Sequence, residues 1–152
     1  MKTPYFGYRG RVLGTLAGLL ALTAFATPDP DVPNERSVWS GVYSQNQAAR
    51  GRETFGASCA ACHSADLSGR GPIPALRGDS FTGNRHGGTV GDLYERISTT
   101  MPPSRPGQLS AEDYADVVAY LLQENAFPHG SADLPAQQES LHLIVFDEQV
   151  AD

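Results

Sequence analysis

The chain is poor in clustered positive charge, in cysteine and in long apolar runs. Its only lysine is Lys2, and three of its 11 basic residues, Lys2, Arg9 and Arg11, fall within the first 26 positions, where there is no acid. Without that stretch, 8 arginines face 17 Asp+Glu, a formal charge of −9. Neutralising phosphates takes clustered Lys and Arg, so nucleic acid and anionic membrane surfaces are excluded as partners. The longest apolar run, Val12 to Ala26, has 15 residues, short of the roughly 20 that span a hydrocarbon core. There is no internal repeat. The 152 residues suffice for one compact domain.

What is present begins with an export pattern. A basic n-region precedes VLGTLAGLLALTAFA, which closes on Ala24-Phe25-Ala26, an A-x-A-like cleavage site. Residues 1–26 are therefore expected to be a signal peptide, with the mature chain starting at Thr27. An uncleaved N-terminal anchor is the competing reading. No cysteine lies near Ala26 to accept a lipid. Either way residues 27–152 are expected outside the cytoplasm, in the periplasm, with no stable membrane insertion once the signal is cleaved.

Residues 27–44 are a proline-rich leader (TPDPDVPN) followed by a short apolar segment containing Val38, Trp39, Val42 and Tyr43. Helical spacing then runs from Gln45 to Cys59 through Ala48, Arg52 and Phe55, with Ser44 as N-cap. Ser64 to Arg85 is broken by glycines and prolines and reads as loop. Thr89 to Thr99 predicts a helix with Thr89 and Asp92 in capping-box register, ending at Met101-Pro102-Pro103. Ser110 to Asn125 predicts the best helix, with Tyr114, Val117, Val118, Leu121 and Leu122 in one stripe. Residues 45–127 form the expected domain. Residues 128–152 are expected to be an extended tail packed on it, because the apolar run Leu141 to Phe146 has no evident strand partner.

Both cysteines lie in Cys59-Ala60-Ala61-Cys62-His63. C-x-x-C-H is the attachment pattern for c-type haem. Two thiols three residues apart can form thioethers with the two vinyls of one porphyrin, and the adjacent imidazole ligates the iron. A thioredoxin-like pair would need a preceding strand. A structural zinc would need a fourth ligand from His86, His129 or His142, which show no paired spacing. A plain disulfide is the remaining alternative. The expected cofactor is one covalently attached haem c per chain, and a haem held this way cannot dissociate after export. For the opposite axial position, Met101 is the only methionine after Met1 and sits at a rigid helix exit. His86, in the loop Asn84-Arg85-His86-Gly87-Gly88, is its rival; His129 and His142 read as surface or tail residues.

These residues resemble the class I cytochrome c family over Gln45 to Asn125. The resemblance implies an all-α cytochrome c fold, with three to five helices around one covalently bound haem and extended N- and C-terminal segments. It further implies that Gly51 and Phe55 cross the last helix opposite Tyr120 or Tyr114. The carbonyl of Pro72 or Pro74 would accept from the His63 ring, and Leu76 would pack on the haem. Segments such as VWSGVYSQNQAARG, ADLSG, TVGDLYERISTTMPPSRPGQLS and DYADVVAYLL are similar to the small cytochromes that accompany pyrroloquinoline-quinone (PQQ) dehydrogenases, or to the haem domains fused to them.

The resulting expectation is an exported electron carrier and not an enzyme. Its donor would be a PQQ-type dehydrogenase, and its acceptor another cytochrome or a terminal oxidase. Two alternatives stand beside it: a haem enzyme or gas sensor with an open sixth position, and a cytochrome subunit of a quinoprotein dehydrogenase complex. Trp39, Phe81, Leu93, Ile97 and Leu121 are expected to exclude water from the haem. Arg77, Arg85 and Arg105 are the candidate partners of its propionates.

Overall fold

The computed structural model describes residues 34–149. The expected signal peptide, and all of the leader before Asn34, lie outside the described residues. Three helices of ten or more residues dominate, and each begins where a side-chain cap was expected. In α1 (Gln45–Ser58) the Ser44 hydroxyl accepts from Gln47 N at 3.0 Å. Helix α4 (Val90–Thr100) starts with a complete capping box, the Thr89 hydroxyl accepting from Asp92 N at 3.1 Å while Asp92 accepts from Thr89 N at 2.7 Å. Helix α5 (Ala111–Glu124) is capped by Ser110, which accepts from Asp113 N at 3.0 Å. Each cap satisfies an N–H that the helix itself leaves unpaired.

Short helix α3 (Asp79–Gly83) interrupts the region Ser64 to Arg85 expected to be loop, and short helix α2 (Ala60–His63) precedes that region across the CAACH segment. With α6 (Gln138–Leu141) they bring the helices to six among the described residues. No helix among the described residues is long and apolar enough to cross a membrane.

The main packing event is the crossing of α1 over α5. Gly51 makes it possible, since a Cβ there would overlap the carbonyl of Asp116. Phe55 and Tyr120 pack beside it with ring centroids 5.4 Å apart and planes tilted by 55°. The aromatic partner at the crossing is therefore Tyr120; Tyr114 turns instead towards Tyr94 and the end of α4. Just outside the crossing, Arg50 forms a two-pronged ion pair with Asp116 at 2.8 and 2.9 Å and a third bond to Asp133 at 2.9 Å.

The C-terminal segment is more structured than the extended tail expected of it. Strand β2 (Ile144–Val145) pairs in parallel with β1 (Arg36–Ser37), giving the apolar run the strand partner that was not evident in the sequence. Buried Gln47 clamps the segment onto α1 by donating to the Leu134 carbonyl at 3.0 Å and accepting from Leu134 N at 2.6 Å. Leu134, Leu141, Ile144 and Phe146 are all buried with Val38, Val42 and Tyr43. His142 is half-buried: its ring covers Gly91, where a Cβ would meet it, and its Nδ1 lies 3.0 Å from the Thr89 hydroxyl. Trp39 belongs to this side of the molecule too, against Phe127 with ring centroids 4.6 Å apart.

Candidate haem site

The elements α1, α2, α4 and α5, with the loop from Pro72 to Arg85, surround a cavity of about 680 Å³. That volume falls within the roughly 300–1,000 Å³ usual for cofactor sites. The walls are mostly apolar: Phe55, Leu76, Phe81, Leu93, Ile97, Val117 and Leu121. Cys59, Cys62, His63, Met101, Pro72 and Pro74 line the same cavity. Every residue expected to hold the cofactor is thus brought to one place, although Cys59 and Met101 are 42 positions apart in the chain.

Helix α1 ends at Ser58, and the Cys59 N–H still closes on the Phe55 carbonyl at 2.9 Å. The chain then turns into α2, with His63 N bonded to Cys59 O at 3.0 Å. This turn places both thiols, one half-buried and one exposed, on the cavity beside the buried His63 ring. Burial, with the Cys62 thiol beside it, pushes the Cys59 thiol up.

The His63 ring is oriented by one bond, from Nδ1 to the carbonyl of Pro74 at 3.0 Å. A carbonyl only accepts, so Nδ1 carries the proton and Nε2 keeps its lone pair for a metal. Of the two prolines allowed by the sequence, Pro74 is the acceptor; Pro72 contributes only to the wall. The loop is fixed from behind by Asn125, at the end of α5, which donates to Leu76 O at 3.0 Å and accepts from Gly78 N at 2.9 Å. Sequence reasoning gave Asn125 no role, and its position as the last residue of a helix pattern was the signal available.

Met101 follows α4 in extended backbone, as a residue before proline must. Two bonds hold it: its N–H to Ile97 O at 2.9 Å, and its carbonyl from the Tyr114 hydroxyl at 2.9 Å. His86 does not reach the cavity; it is exposed, lines a second, shallower cleft with Trp39 and Phe127, and faces Glu148 at 3.7 Å. Trp39 accordingly does not shield the cavity, whereas Phe81, Leu93, Ile97 and Leu121 do.

The arginines separate clearly. Arg77 donates to the Asp66 carbonyl at 3.2 Å and lines the second cleft. Arg105 sits in the exposed loop after Pro103 and does not line the cavity. Arg85 does line it, as does Arg96, which the sequence reading did not single out. Arg85 Nε is buried with no hydrogen-bond partner. A buried, unpaired cationic N–H is costly unless an anion meets it. Two thiols, an oriented imidazole, a thioether and an unpartnered guanidinium on one apolar cavity fit a covalently attached porphyrin bearing carboxylates.

A family model points to the same chemistry. The family model described as cytochrome c oxidase, cbb3-type, subunit III matches residues 46–121. Among solved structures, a chain in the crystal structure of the sulfane dehydrogenase SoxCD from Paracoccus pantotrophus is similar. It is 22% identical, with 82% of this chain and 68% of that chain covered, at a TM-score of 0.46. No curated protein matches.

Proposed function

This chain belongs to the cbb3-type subunit III family of c-type cytochromes, electron-transfer proteins of all-α cytochrome c fold, and from that premise we propose that it is an exported single-haem electron carrier. The observation that carries the reading is the convergence of Cys59, Cys62, an oriented His63 and Met101 on one apolar cavity. Bound there, haem c supplies a one-electron Fe(II)/Fe(III) couple.

The chain's own residues do the rest. Cys59 and Cys62 would anchor the cofactor through thioethers, and His63, held by Pro74, would offer Nε2 to its iron. Met101 would offer its thioether sulfur to the same iron. A thioether in that position favours the reduced state relative to a second imidazole. Phe55, Phe81, Leu93 and Leu121 keep water out, which also favours the less charged form of the site. The proposed compartment is the periplasm, supported by the basic and apolar N-terminal pattern that ends at Ala26. The proposed donor is a PQQ-type dehydrogenase and the proposed acceptor a downstream cytochrome or terminal oxidase, supported by the segment similarities described above. With 8 arginines against 17 acids after residue 26, the carrier favours a basic partner surface, and its association rate falls as salt rises.

The test is to express the chain in a host that matures c-type cytochromes, record oxidised and reduced spectra, and add carbon monoxide to the reduced protein. Covalent haem with a methionine-to-iron band and no carbon monoxide shift is the expected result. Ready carbon monoxide binding would remove Met101 from the iron and turn attention to an open-site enzyme or sensor. Absence of haem would overturn the proposal.

A further inference from the structure

The two concave sites of this molecule differ in charge. Among the described residues no acid lines the haem cavity, whose charged walls are Arg85 and Arg96. The second cleft, of about 540 Å³, is lined by Asp79, Glu124 and Asp147 against Arg77 and His86. Arg77 is engaged by the Asp66 carbonyl at 3.2 Å, and His86 faces a further acid, Glu148, at 3.7 Å. Asp79 and Glu124 are exposed and join no ion pair among the described residues. The C-terminal end of α5 opens on the same cleft through Glu124, Asn125 and Ala126. The partial negative charge of a helix C-terminus adds to that of the carboxylates. Of the two sites, the second cleft is the one that attracts a cation.

One wall of this cleft is aromatic. The half-buried Trp39 ring packs on Phe127 at 4.6 Å between centroids, and its Nε1 donates to the Asp147 carbonyl at 3.0 Å. The indole is held in place while part of it stays accessible, and such a ring takes a guanidinium or ammonium on its face. A fixed tryptophan beside unpaired carboxylates is also what an arginine anchor of a protein partner requires.

Helix α3 divides the cleft from the haem cavity. Its buried Phe81 lines the cavity, while Asp79, Thr82 and Gly83 of the same helix line the cleft. Asn125, on the cleft, donates to the carbonyl of Leu76 at 3.0 Å, and Leu76 lines the cavity. The wall is thus one helix of five residues, braced by a hydrogen bond that crosses it. Electron tunnelling falls steeply with distance, and so short a wall permits it.

We infer that the second cleft is a docking site for a redox partner with a basic surface, which places an arginine or lysine against Trp39 and the carboxylates of Asp79, Glu124 and Asp147, and that the electron crosses the α3 wall. The inference rests on the carrier reading above and names the face at which its basic partner sits. One electron moves per encounter: whichever of the two centres is reduced loses it and the other gains it, with no bond made or broken.

The test uses the matured, haem-bearing protein in its reduced form. Its oxidation is followed with tris(phenanthroline)cobalt(III), a cationic aromatic oxidant that takes one electron to become cobalt(II), and with ferricyanide as the anionic counterpart. Asp79→Asn with Glu124→Gln is expected to slow the cobalt reaction about tenfold at low ionic strength, an effect that shrinks as salt is added, and not to slow the ferricyanide reaction. Glu53→Gln with Glu112→Gln removes the same formal charge from exposed positions off both sites and should act far less. Trp39→Leu should slow the cobalt reaction with no change of charge. Hexa-arginine, standing for the partner's basic surface, should inhibit the cobalt reaction of the parent and much less that of the Asp79→Asn, Glu124→Gln protein. Added to the parent, it should also move the amide resonances of Gly78, Gly83 and Ala126.

Equal slowing by the two double variants would show that net charge alone steers the probe; it would overturn the docking site and leave the carrier reading standing. Equal inhibition of parent and variant by hexa-arginine would do the same. If the Asp79→Asn, Glu124→Gln protein fails to fold, the parent's amide resonances decide, and shifts gathered around Cys62 and Met101 instead of the cleft would overturn the assignment. Parent protein without covalent haem would overturn the assignment and the carrier reading together.

Discussion

Helix α1 contains two glycines, Gly51 and Gly56, and the same substitution at each should act with opposite sign. Glycine in a helix interior costs about 0.5–1 kcal/mol relative to alanine, because its backbone loses more freedom on folding. At Gly56 a Cβ would meet nothing within 4 Å. Gly56→Ala should therefore collect that helix term undiminished and stabilise the protein by about 0.5–1 kcal/mol. At Gly51 a Cβ would overlap both the carbonyl oxygen and carbon of Asp116 and come within 3.0 Å of the Tyr120 Cβ.

The obstructing atoms at Gly51 belong to the backbone of α5, so no rotamer change relieves them. The two helices must separate. Overpacking a fitted interface costs about 1–3 kcal/mol and occasionally more, and a backbone clash belongs at the upper end. Separation also strains the neighbouring Arg50–Asp116 pair, which spans the same two helices at 2.8 Å. After the helix term is subtracted, Gly51→Ala should destabilise by about 2 kcal/mol or more.

The assay is thermal and guanidinium unfolding of the haem-bearing protein, with both variants beside the parent. At about 4 °C per kcal/mol, Gly51→Ala should melt roughly 8 °C or more below the parent and Gly56→Ala a few degrees above it. If Gly51→Ala were as stable as Gly56→Ala, the helix crossing described here would be wrong, and with it the account of how the cavity is closed.

Three further outcomes are expected. Replacing Cys59 and Cys62 together by alanine should leave a largely unfolded protein, since the cavity of about 680 Å³ has no other filling and empty apolar volume is strongly destabilising; a cooperative, native-like melt of the double variant would refute this. Tyr114→Phe removes the hydroxyl that donates to the Met101 carbonyl at 2.9 Å, which should cost about 1 kcal/mol and speed carbon monoxide entry into the reduced protein. Unchanged stability and entry would mean that the bond does not hold the Met101 loop. Asp92 and Asp133 have carboxyls held below the usual 3.8, Asp92 chiefly by bonds from Thr89 and Asp133 by bonds from Ser44 and Arg50. Their stabilisation is present above 3.8 and is lost as pH falls through the lower folded values. Asp133→Asn should flatten that acid limb in unfolding midpoints measured against pH, and an unaltered limb would contradict the assignment.

Much of this molecule was determined locally. Ser44, Thr89 and Ser110 mark helix starts because a hydroxyl one residue before a helix bonds to an N–H only three positions on, a relation that sequence spacing contains in full. The same holds for CAACH, where one turn of chain places two thiols and an imidazole together. The stop at Met101 is local too, because the following proline forbids further helix.

What only the tertiary structure decided are choices between chemically equivalent candidates. Pro72 and Pro74 are indistinguishable in sequence until the loop's path puts one carbonyl 3.0 Å from His63 Nδ1. Tyr114 and Tyr120 occupy the same apolar helix, and the crossing point at Gly51 assigns them to different jobs. Arg77, Arg85 and Arg105 carry the same charge, yet only Arg85 has a buried nitrogen without a partner. The partner of Ile144–Val145 is Arg36–Ser37, a pairing of two residues with two across nearly the whole domain. A strand that short has no pattern to read, and long-range pairing is specified by the packing of everything between its ends.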